Sequence, residues 1–191
     1  MSTSGFAAST WLGRLNSSGR WGQWGYDWEL SRQPLTGSLL SYAGTRDPYS
    51  GQSWGGVTAN GLALNLSHDQ GGALGVWAQL GWHKLLGKNV MDNTRATVMG
   101  GVYWRLVDTP WRQVRLGLNT LNWRFAENLS GLTFGHGGYY SPQRYHSLSL
   151  PLTWAERGPR WSWWLRGAVS LSRSQENAMP YYPTRPDWQA A

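Results

Sequence analysis

The stretch at residues 74–83 reads Leu-Gly-Val-Trp-Ala-Gln-Leu-Gly-Trp-His. Every second residue from Leu74 to Trp82 is apolar, while the residues between them are glycine, tryptophan, glutamine and histidine. Side chains of a β-strand point alternately to the two faces of a sheet. The stretch therefore predicts a strand with one apolar face and one polar, glycine-rich face.

The same period of two recurs along most of the chain. It predicts eight strands, at residues 9–15, 20–33, 56–68, 73–85, 94–107, 111–125, 144–156 and 160–174. In the sixth strand the apolar positions change parity between Leu118 and Leu121, which predicts a bulge near Asn119 and Thr120. The predicted fold class is all-β.

Alternation alone fits a soluble β-sandwich or lectin-like fold as well as a membrane barrel, and three features favour the barrel. Short turns at residues 16–19, 69–72, 108–110 and 157–159 alternate with long loops at 34–55, 86–93 and 126–143 and a long tail after 174. Tryptophan gathers near strand ends, as in the aromatic girdles of membrane interfaces. The strands run to about 13 residues, beyond the globular mean of about 5–6. We expect an antiparallel up-and-down transmembrane β-barrel of the outer-membrane type.

Composition limits the partners and cofactors of this chain. It has 191 residues, a formal net charge of +7 and no cysteine. The arginines are scattered singly rather than clustered, so we expect no nucleic-acid partner. Without cysteine, and with the histidines far apart, we expect no metal and no cofactor. The start of the chain lacks a signal-peptide pattern, so a targeting signal would have to lie upstream.

Residues 134–145, Phe-Gly-His-Gly-Gly-Tyr-Tyr-Ser-Pro-Gln-Arg-Tyr, are rich in both glycine and aromatic rings. This segment resembles the C-terminal outer-membrane domain of the bacterial cellulose synthase operon protein C family, as do blocks at residues 39–48, 81–85 and 151–155. The resemblance implies a pore, not an enzyme, in the outer membrane of a Gram-negative bacterium, which exports cellulose (a β-1,4-glucan). It also implies four partners: outer-membrane lipid, the cellulose chain, a periplasmic repeat region and the cellulose synthase complex.

The predicted layout places both chain ends on the extracellular side, and the chain ends without an aromatic-tipped closing strand. With the resemblance, this leads us to expect that residues 1–191 are part of one outer-membrane barrel domain. They would form about eight strands of a larger barrel, with the N-terminal periplasmic repeats and C-terminal closing strands absent. The alternative is a small eight-stranded barrel filled by side chains, with a structural or hydrolase role and no transport. For a hydrolase, Asp27 and Glu29 on one strand face are the carboxylate pair to consider.

A path for a neutral glucan needs polar donors and acceptors and a few aromatic rings. The parity of the strands places such residues on the lumen side: Trp77, Tyr103 and Trp164, with Arg105 and Arg166, and others of the same kind at Asn65, Gln79, Arg95, Arg115 and Asn119. The alternative is that these inward side chains only fill and brace the lumen. No catalytic, cofactor-binding or metal-binding residue is predicted.

The segment at residues 134–145 lies on the long-loop side of the predicted barrel. We expect it to fold over or into the pore mouth, with five side chains lining the exit: Phe134, His136, Tyr139, Tyr140 and Arg144. Loops that are held by a rigid scaffold often have such functional positions. The alternative is a self-packed loop that seals the barrel wall.

Overall fold

The computed structural model describes residues 5–190, so the first four residues of the stretch considered for a signal peptide lie outside it. The fold is all-β, as predicted. Its strands are β1 Gly13–Trp21, β2 Trp24–Pro34, β3 Thr45–Arg46, β4 Ser53–His68, β5 Leu74–Lys88, β6 Asn93–Asp108, β7 Arg112–Phe125, β8 Arg144–Arg157 and β9 Ser162–Gln175. One short helix, α1 (Leu39–Ala43), and a 3-10 turn at Pro186–Ala190 complete the described chain.

The strands form one antiparallel up-and-down sheet in the order β1-β2-β4-β5-β6-β7-β8-β9, with the two-residue β3 paired to β4. Each long strand therefore pairs with its neighbours in sequence. Along the described path, β1 and β9 are the outermost strands, and each pairs on one side.

The prediction for the first hairpin is wrong. Residues 16–19, predicted to be a turn, lie inside β1, and the turn is made by Gly22 and Gln23 between the paired residues Trp21 and Trp24. Gly22 has a positive φ of 59°, which a two-residue hairpin turn requires and glycine adopts without strain. The Asn-Ser-Ser-Gly composition is common in turns, but here it lies in an exposed outermost strand.

The bulge predicted near Asn119 is also wrong. There the β6–β7 register is continuous, and the only irregularity in this pair lies between Arg105 and Val107. The change of apolar parity in β7 has another cause. Phe125, at the end of β7, lies on the same face as Arg115 and Asn119. It is only 4% exposed because it packs against Leu129 and Tyr139 of the following loop, so this face is apolar at that end of the strand.

The predicted division of the connections is confirmed for the remaining hairpins with one exception. The long loop predicted at residues 86–93 is wrong: β5 runs on to Lys88, which leaves a connection of only four residues, 89–92. This connection, the long ones at residues 35–52 and 126–143 and the tail after 175 gather at one end of the sheet, the loop end. Short connections at residues 22–23, 69–73, 109–111 and 158–161 gather at the other, the turn end.

The fully buried side chains lie at the loop end rather than between two layers. They form the loop-end core: Leu40, Trp54, Val57, Ala59, Leu85, Val90, Phe125, Leu129, Phe134 and Tyr139. Helix α1 joins this core through Leu40, and Ser38 begins the helix with a capping box, accepting from the Ser41 backbone N–H. The tail joins it through Met179, Tyr182 and Trp188.

One face of the sheet, the apolar face, is exposed along its whole width. It includes Trp82, Val98, Leu150 and Leu165, with exposed fractions between 48% and 57%, or close to half. The two margins of this face, at the loop end and the turn end, are its rims. Between the rims, no charged side chain lies on this face of the described strands. Separately, no helix among residues 5–190 is long and apolar enough to cross a membrane.

Candidate functional site on the polar face of the sheet

The strand register places the predicted lumen residues together on the other face, the polar face. Gly75 pairs with Tyr103, Trp77 with Gly101, and Thr153 with Arg166, so all share one parity across the sheet. The further polar residues fall on the same face: Asn65, Gln79, Arg95, Arg105, Arg115 and Asn119.

Five of the predicted side chains line one pocket of about 190 Å³: Trp77, Tyr103, Arg115, Asn119 and Arg166. The rest of its lining comes from Gly117, Pro151 and Thr153. Five consecutive strands, β5 to β9, contribute to this one pocket, so the polar face is concave here. The lining offers two aromatic rings beside guanidinium, amide and hydroxyl groups.

Two aromatic rings of this pocket lie over glycines on the neighbouring strand. A Cβ atom at Gly75 would collide with the Tyr103 ring, and one at Gly101 would lie 2.6 Å from Nε1 of Trp77. Each ring therefore occupies the space that a side chain on its cross-strand partner would need. Such pairing of a ring with a strand glycine fixes the ring and restores packing that the glycine lacks.

A network of hydrogen bonds connects the turn-end side of the pocket to the turn between β4 and β5. Tyr103 Oη donates to the Asp69 carboxylate, and Arg105 donates to the same carboxylate and to the Gly72 carbonyl. Arg105 Nε lies 3.5 Å from Asp108 Oδ2. Hydrogen bonds from Tyr103 and Arg105 hold the pKa of Asp69, in the turn, well below its ordinary value.

Because of this network, Arg105 does not have the ligand-contacting role that the sequence predicted for it. Its side chain is only 8% exposed and is paired with Asp69, so it is held within the protein rather than presented to a ligand. Trp164 differs in the opposite way. It is 73% exposed on β9 and borders a separate pocket at the turn end, beside Trp111 and Trp163.

A second pocket, of about 330 Å³, opens on the polar face of β1, β2, β4 and β5 and shares Trp77 with the first. Asp27 lies in it and accepts a hydrogen bond of 2.9 Å from Asn65 Nδ2. Glu29, two residues along the strand, forms an ion pair of 3.1 Å with Arg14 and accepts from Gln33. The two carboxylates considered for hydrolysis thus share a face, and each has its own partner.

Residues 134–145 are mainly buried. Phe134, His136 and Tyr139 are 4–6% exposed and lie in or against the loop-end core. Phe134 packs between Trp54, at a ring-centroid distance of 5.7 Å, and Trp188, at 5.4 Å. The prediction that this segment lines a pore exit remains a prediction, and the described contacts are those of a packed loop.

Two buried titratable groups of this segment are perturbed by their surroundings. Burial lowers the pKa of His136, whose Nε2 donates to the Pro180 carbonyl at 3.1 Å, while Nδ1 has no partner among the described residues. Burial raises the pKa of Tyr139, although Oη accepts a hydrogen bond from Asn93 Nδ2 at 3.1 Å. Both groups are therefore neutral near pH 7.

The other two residues predicted for the exit lie at the margin of the loop. Tyr140 is 46% exposed, and its Oη contacts Ser174 Oγ at 2.5 Å. Arg144 begins β8 and pairs with Gln175, which places it on the same face as Leu148 and Leu150, the apolar face, rather than beside Trp77.

Sequence reasoning did not single out three members of the pocket: Gly117, Pro151 and Thr153. Pro151 lies in the middle of β8, where its missing N–H interrupts the ladder, and its ring fills the space next to Gly117 at 2.9 Å from a would-be Cβ. A proline inside a strand and a glycine on the adjacent strand were the available signals. Over residues 5–190, no three metal-ligating side chains come together.

The whole chain, residues 1–191, matches a family model described as "Cellulose synthase operon protein C C-terminus". The chain belongs to this family. Relatives named cellulose synthase operon protein C are similar to it at 44% identity in Salmonella typhimurium, over 94% of this chain, and at 42% in Escherichia coli K12, over 97%. A relative of the same name in Xanthomonas axonopodis pv. citri is 41% identical over 85% of the chain.

The cellulose synthase operon protein C relatives are much longer than this chain. The alignments cover 15%, 16% and 11% of the three relatives. The family name connects its members with the cellulose synthase operon. The resemblance drawn from residues 134–145 and three other blocks is thereby confirmed.

Proposed function

We propose that this chain contributes to an outer-membrane β-barrel pore that exports cellulose during its synthesis. One observation carries the proposal: a single up-and-down sheet has an exposed apolar face, with no charged side chain between its loop-end and turn-end rims, and, on its other side, a concave polar face with aromatic rings. In a Gram-negative outer membrane the first face would contact lipid, and the second would line the lumen.

The apolar face supports the membrane part of the proposal. A soluble monomer rarely exposes a contiguous apolar patch of more than a few hundred Å². On β5 the face runs from Leu74 to Trp82, which is about 27 Å along the strand and comparable to the apolar band of about 25 Å in outer-membrane barrels. Tryptophans border it near the turn end, at Trp24, Trp104, Trp154 and Trp163.

The polar face supports the glucan part. A neutral sugar chain has apolar ring faces and hydroxyl edges, so its path needs aromatic surfaces beside hydrogen-bonding groups. Trp77 and Tyr103, each fixed over a glycine, would present the ring surfaces. Arg115, Asn119 and Arg166 border the same pocket and would bond the hydroxyl groups. Trp164, exposed near the turn end, extends the path toward the periplasm.

We also propose that residues 1–191 form part of a larger barrel domain. The outer edges of β1 and β9 present backbone N–H and C=O groups that are unpaired within the described chain. In lipid each unpaired group costs several kcal/mol, so these edges need further strands. In this arrangement, outer-membrane lipid and the glucan are the direct partners, and the periplasmic repeat region and the synthase complex deliver the glucan.

Conductance in planar bilayers tests the proposal, measured on this chain together with the further barrel strands that the proposal requires. We expect discrete channels that cellohexaose blocks. Trp77→Ala should weaken the block by about two- to tenfold, since loss of one stacking ring is worth about 0.5–1.5 kcal/mol beyond area burial. The matched control is Trp82→Ala, on the same strand but the opposite face. Absence of conductance, or equal block in both variants, would refute an export path along this face.

A further inference from the structure

The apolar face ends at the loop end in a group of basic side chains on three adjacent strands. Arg124 lies on β7, Arg144 and His146 on β8, and Arg173 on β9. The register pairs Trp123 with Tyr145, His146 with Arg173 and Arg144 with Gln175, which places all four side chains on the apolar face in two adjacent rows at the loop end. We call these four residues the basic rim.

The three arginines of the basic rim are available to a ligand. None of them takes part in an ion pair or a side-chain hydrogen bond among the described residues, and Arg144, His146, Arg173 and Gln175 enclose a pocket of about 190 Å³. Like charges on neighbouring strands repel each other. With no acidic side chain on this part of the face, the group is complementary to an anion.

Other basic residues at the rims are already satisfied within the chain. Arg32 donates to Asn60 Oδ1 and Thr10 Oγ1, and Lys84 pairs with Asp92 at 3.0 Å. At the turn end, Arg112 pairs with Glu156 at 2.6 Å. His146 contacts Asn122 Oδ1 through Nδ1 at 2.5 Å. The three arginines of the basic rim therefore differ from these positions in having no ion pair within the described chain.

The surface beneath the basic rim indicates what kind of anion would bind. Directly below it on the same face run Leu148 and Leu150 of β8 and Leu171 and Val169 of β9, with exposed fractions from 50% to 78%. The step from His146 to Leu148 is about 7 Å. An anionic headgroup at the arginines would thus have its own hydrocarbon chains lying on this apolar column.

We propose that the basic rim and the apolar column below it form a binding site for a phosphorylated lipid of the leaflet at the loop end. Guanidinium groups bind phosphate oxygens in bidentate geometry, and the column takes the acyl chains. The site would fix the depth and rotation of this part of the sheet in the leaflet. The inference rests on the proposed outer-membrane location.

The test measures retention of lipid by the purified protein in detergent, by native mass spectrometry, with bisphosphorylated lipid A as the probe and its dephosphorylated form as the comparison. The variant combines Arg124→Gln, Arg144→Gln and Arg173→Gln. The charge-matched control combines Arg112→Gln, Arg157→Gln and Arg160→Gln at the turn end. Circular dichroism and insertion into phosphatidylcholine vesicles verify that both variants fold.

We expect the rim variant to retain bisphosphorylated lipid A roughly a hundredfold less well, because each basic residue near an anionic surface contributes about fivefold. The turn-end control should retain it like the unmodified protein. Equal loss in both variants, or equal retention of the dephosphorylated lipid, would overturn the proposal. So would competition by inorganic phosphate at the same concentration, because the ligand would then be a free anion. Failure of every form to insert into vesicles would instead count against the proposed function.

Discussion

The side chain of Ser141 makes the sharpest stability prediction in the loop-end core. Ser141 is fully buried, and its Oγ accepts the backbone N–H of Leu129 at 2.7 Å while donating to the Tyr139 carbonyl at 3.2 Å. The Leu129 carbonyl in turn accepts the N–H groups of Gly137 and Gly138, at 3.1 and 3.0 Å. Leu129 thus connects the two halves of the long loop.

The change Ser141→Ala removes one oxygen with little change in volume and leaves the buried N–H of Leu129 without an acceptor. An unsatisfied buried group costs about 1–3 kcal/mol. If that cost falls on the folded loop, the opening equilibrium of residues 126–143 rises by about 5- to 150-fold. Hydrogen exchange measures this directly, since the amides of Gly137 and Gly138 should exchange faster by the same factor.

The control for this measurement is Ser130→Ala, which removes an exposed hydrogen bond of 2.7 Å to Asn128 Oδ1. Exchange at Gly137 should change less than twofold in the control, and strand amides of β8 should keep their protection in both variants. Unchanged exchange at Gly137 and Gly138 in Ser141→Ala would refute the assigned role of the hydroxyl. Loss of protection throughout β8 would show that the loop is not an independent unit.

Three further predictions concern packing and pH. Gly61→Ala should lower the free energy of unfolding, measured by denaturant titration, by about 1–3 kcal/mol. The new Cβ would collide with the Trp82 carbonyl and lie 2.7 Å from Cα of His83 across the β4–β5 pair. The control Gly167→Ala, where a Cβ would have no atom within 4 Å, should be neutral. Acid should loosen the turn at Asp69 only below pH 3.8, the ordinary pKa of this carboxyl group. Because its pKa is lowered in the folded state, the ionised carboxylate stabilises the fold above pH 3.8, and this contribution is lost as the pH falls towards the folded-state pKa. Asp69→Asn should abolish this pH-dependent loss of protection in hydrogen exchange at Gly71. Because the pKa of His136 is lowered from 6.5, the unfolded form takes up protons first as pH falls, so the protection of tail amides, relative to their intrinsic exchange rate at each pH, should fall below about pH 6.5. His136→Gln should remove that pH dependence.

The strands and their faces could be predicted because a sheet with one lipid-compatible face imposes a strict alternation on the sequence. Leu74, Trp77 and Trp82 lie on the predicted sides of β5. The first hairpin could not be predicted in the same way. Residues 16–19 have the composition of a turn, whereas Gly22 stands between two tryptophans that give no turn signal, and only pairing with β2 decides between them.

The face of the sheet on which the candidate site lies could be predicted from the sequence, but the contacts between its side chains could not. Alternation places Tyr103 and Arg105 on the polar face, but the sequence has no sign that Asp69, in a turn over thirty residues away, occupies them both. Composition marks residues 134–145 as an unusual loop, yet glycine and ring content alone cannot tell an exposed lining from a packed core. The burial of Phe134 between Trp54 and Trp188 depends on two segments distant in sequence.

The contact between Trp54 and Phe134 also bears on how the chain reaches its final form. Every pair of long strands in the described sheet joins neighbours in sequence, with only the two-residue β3 between β2 and β4, so pairing can advance hairpin by hairpin at low cost in chain entropy. The ring contacts of Phe134 are different, because they bring together residues 54, 134 and 188, which are separated along the chain by the strands from β4 to β9. They can form only after the intervening hairpins are in place. We infer that the loop-end core forms in the last step of folding, and that its contacts stabilise the strand pairs formed before it.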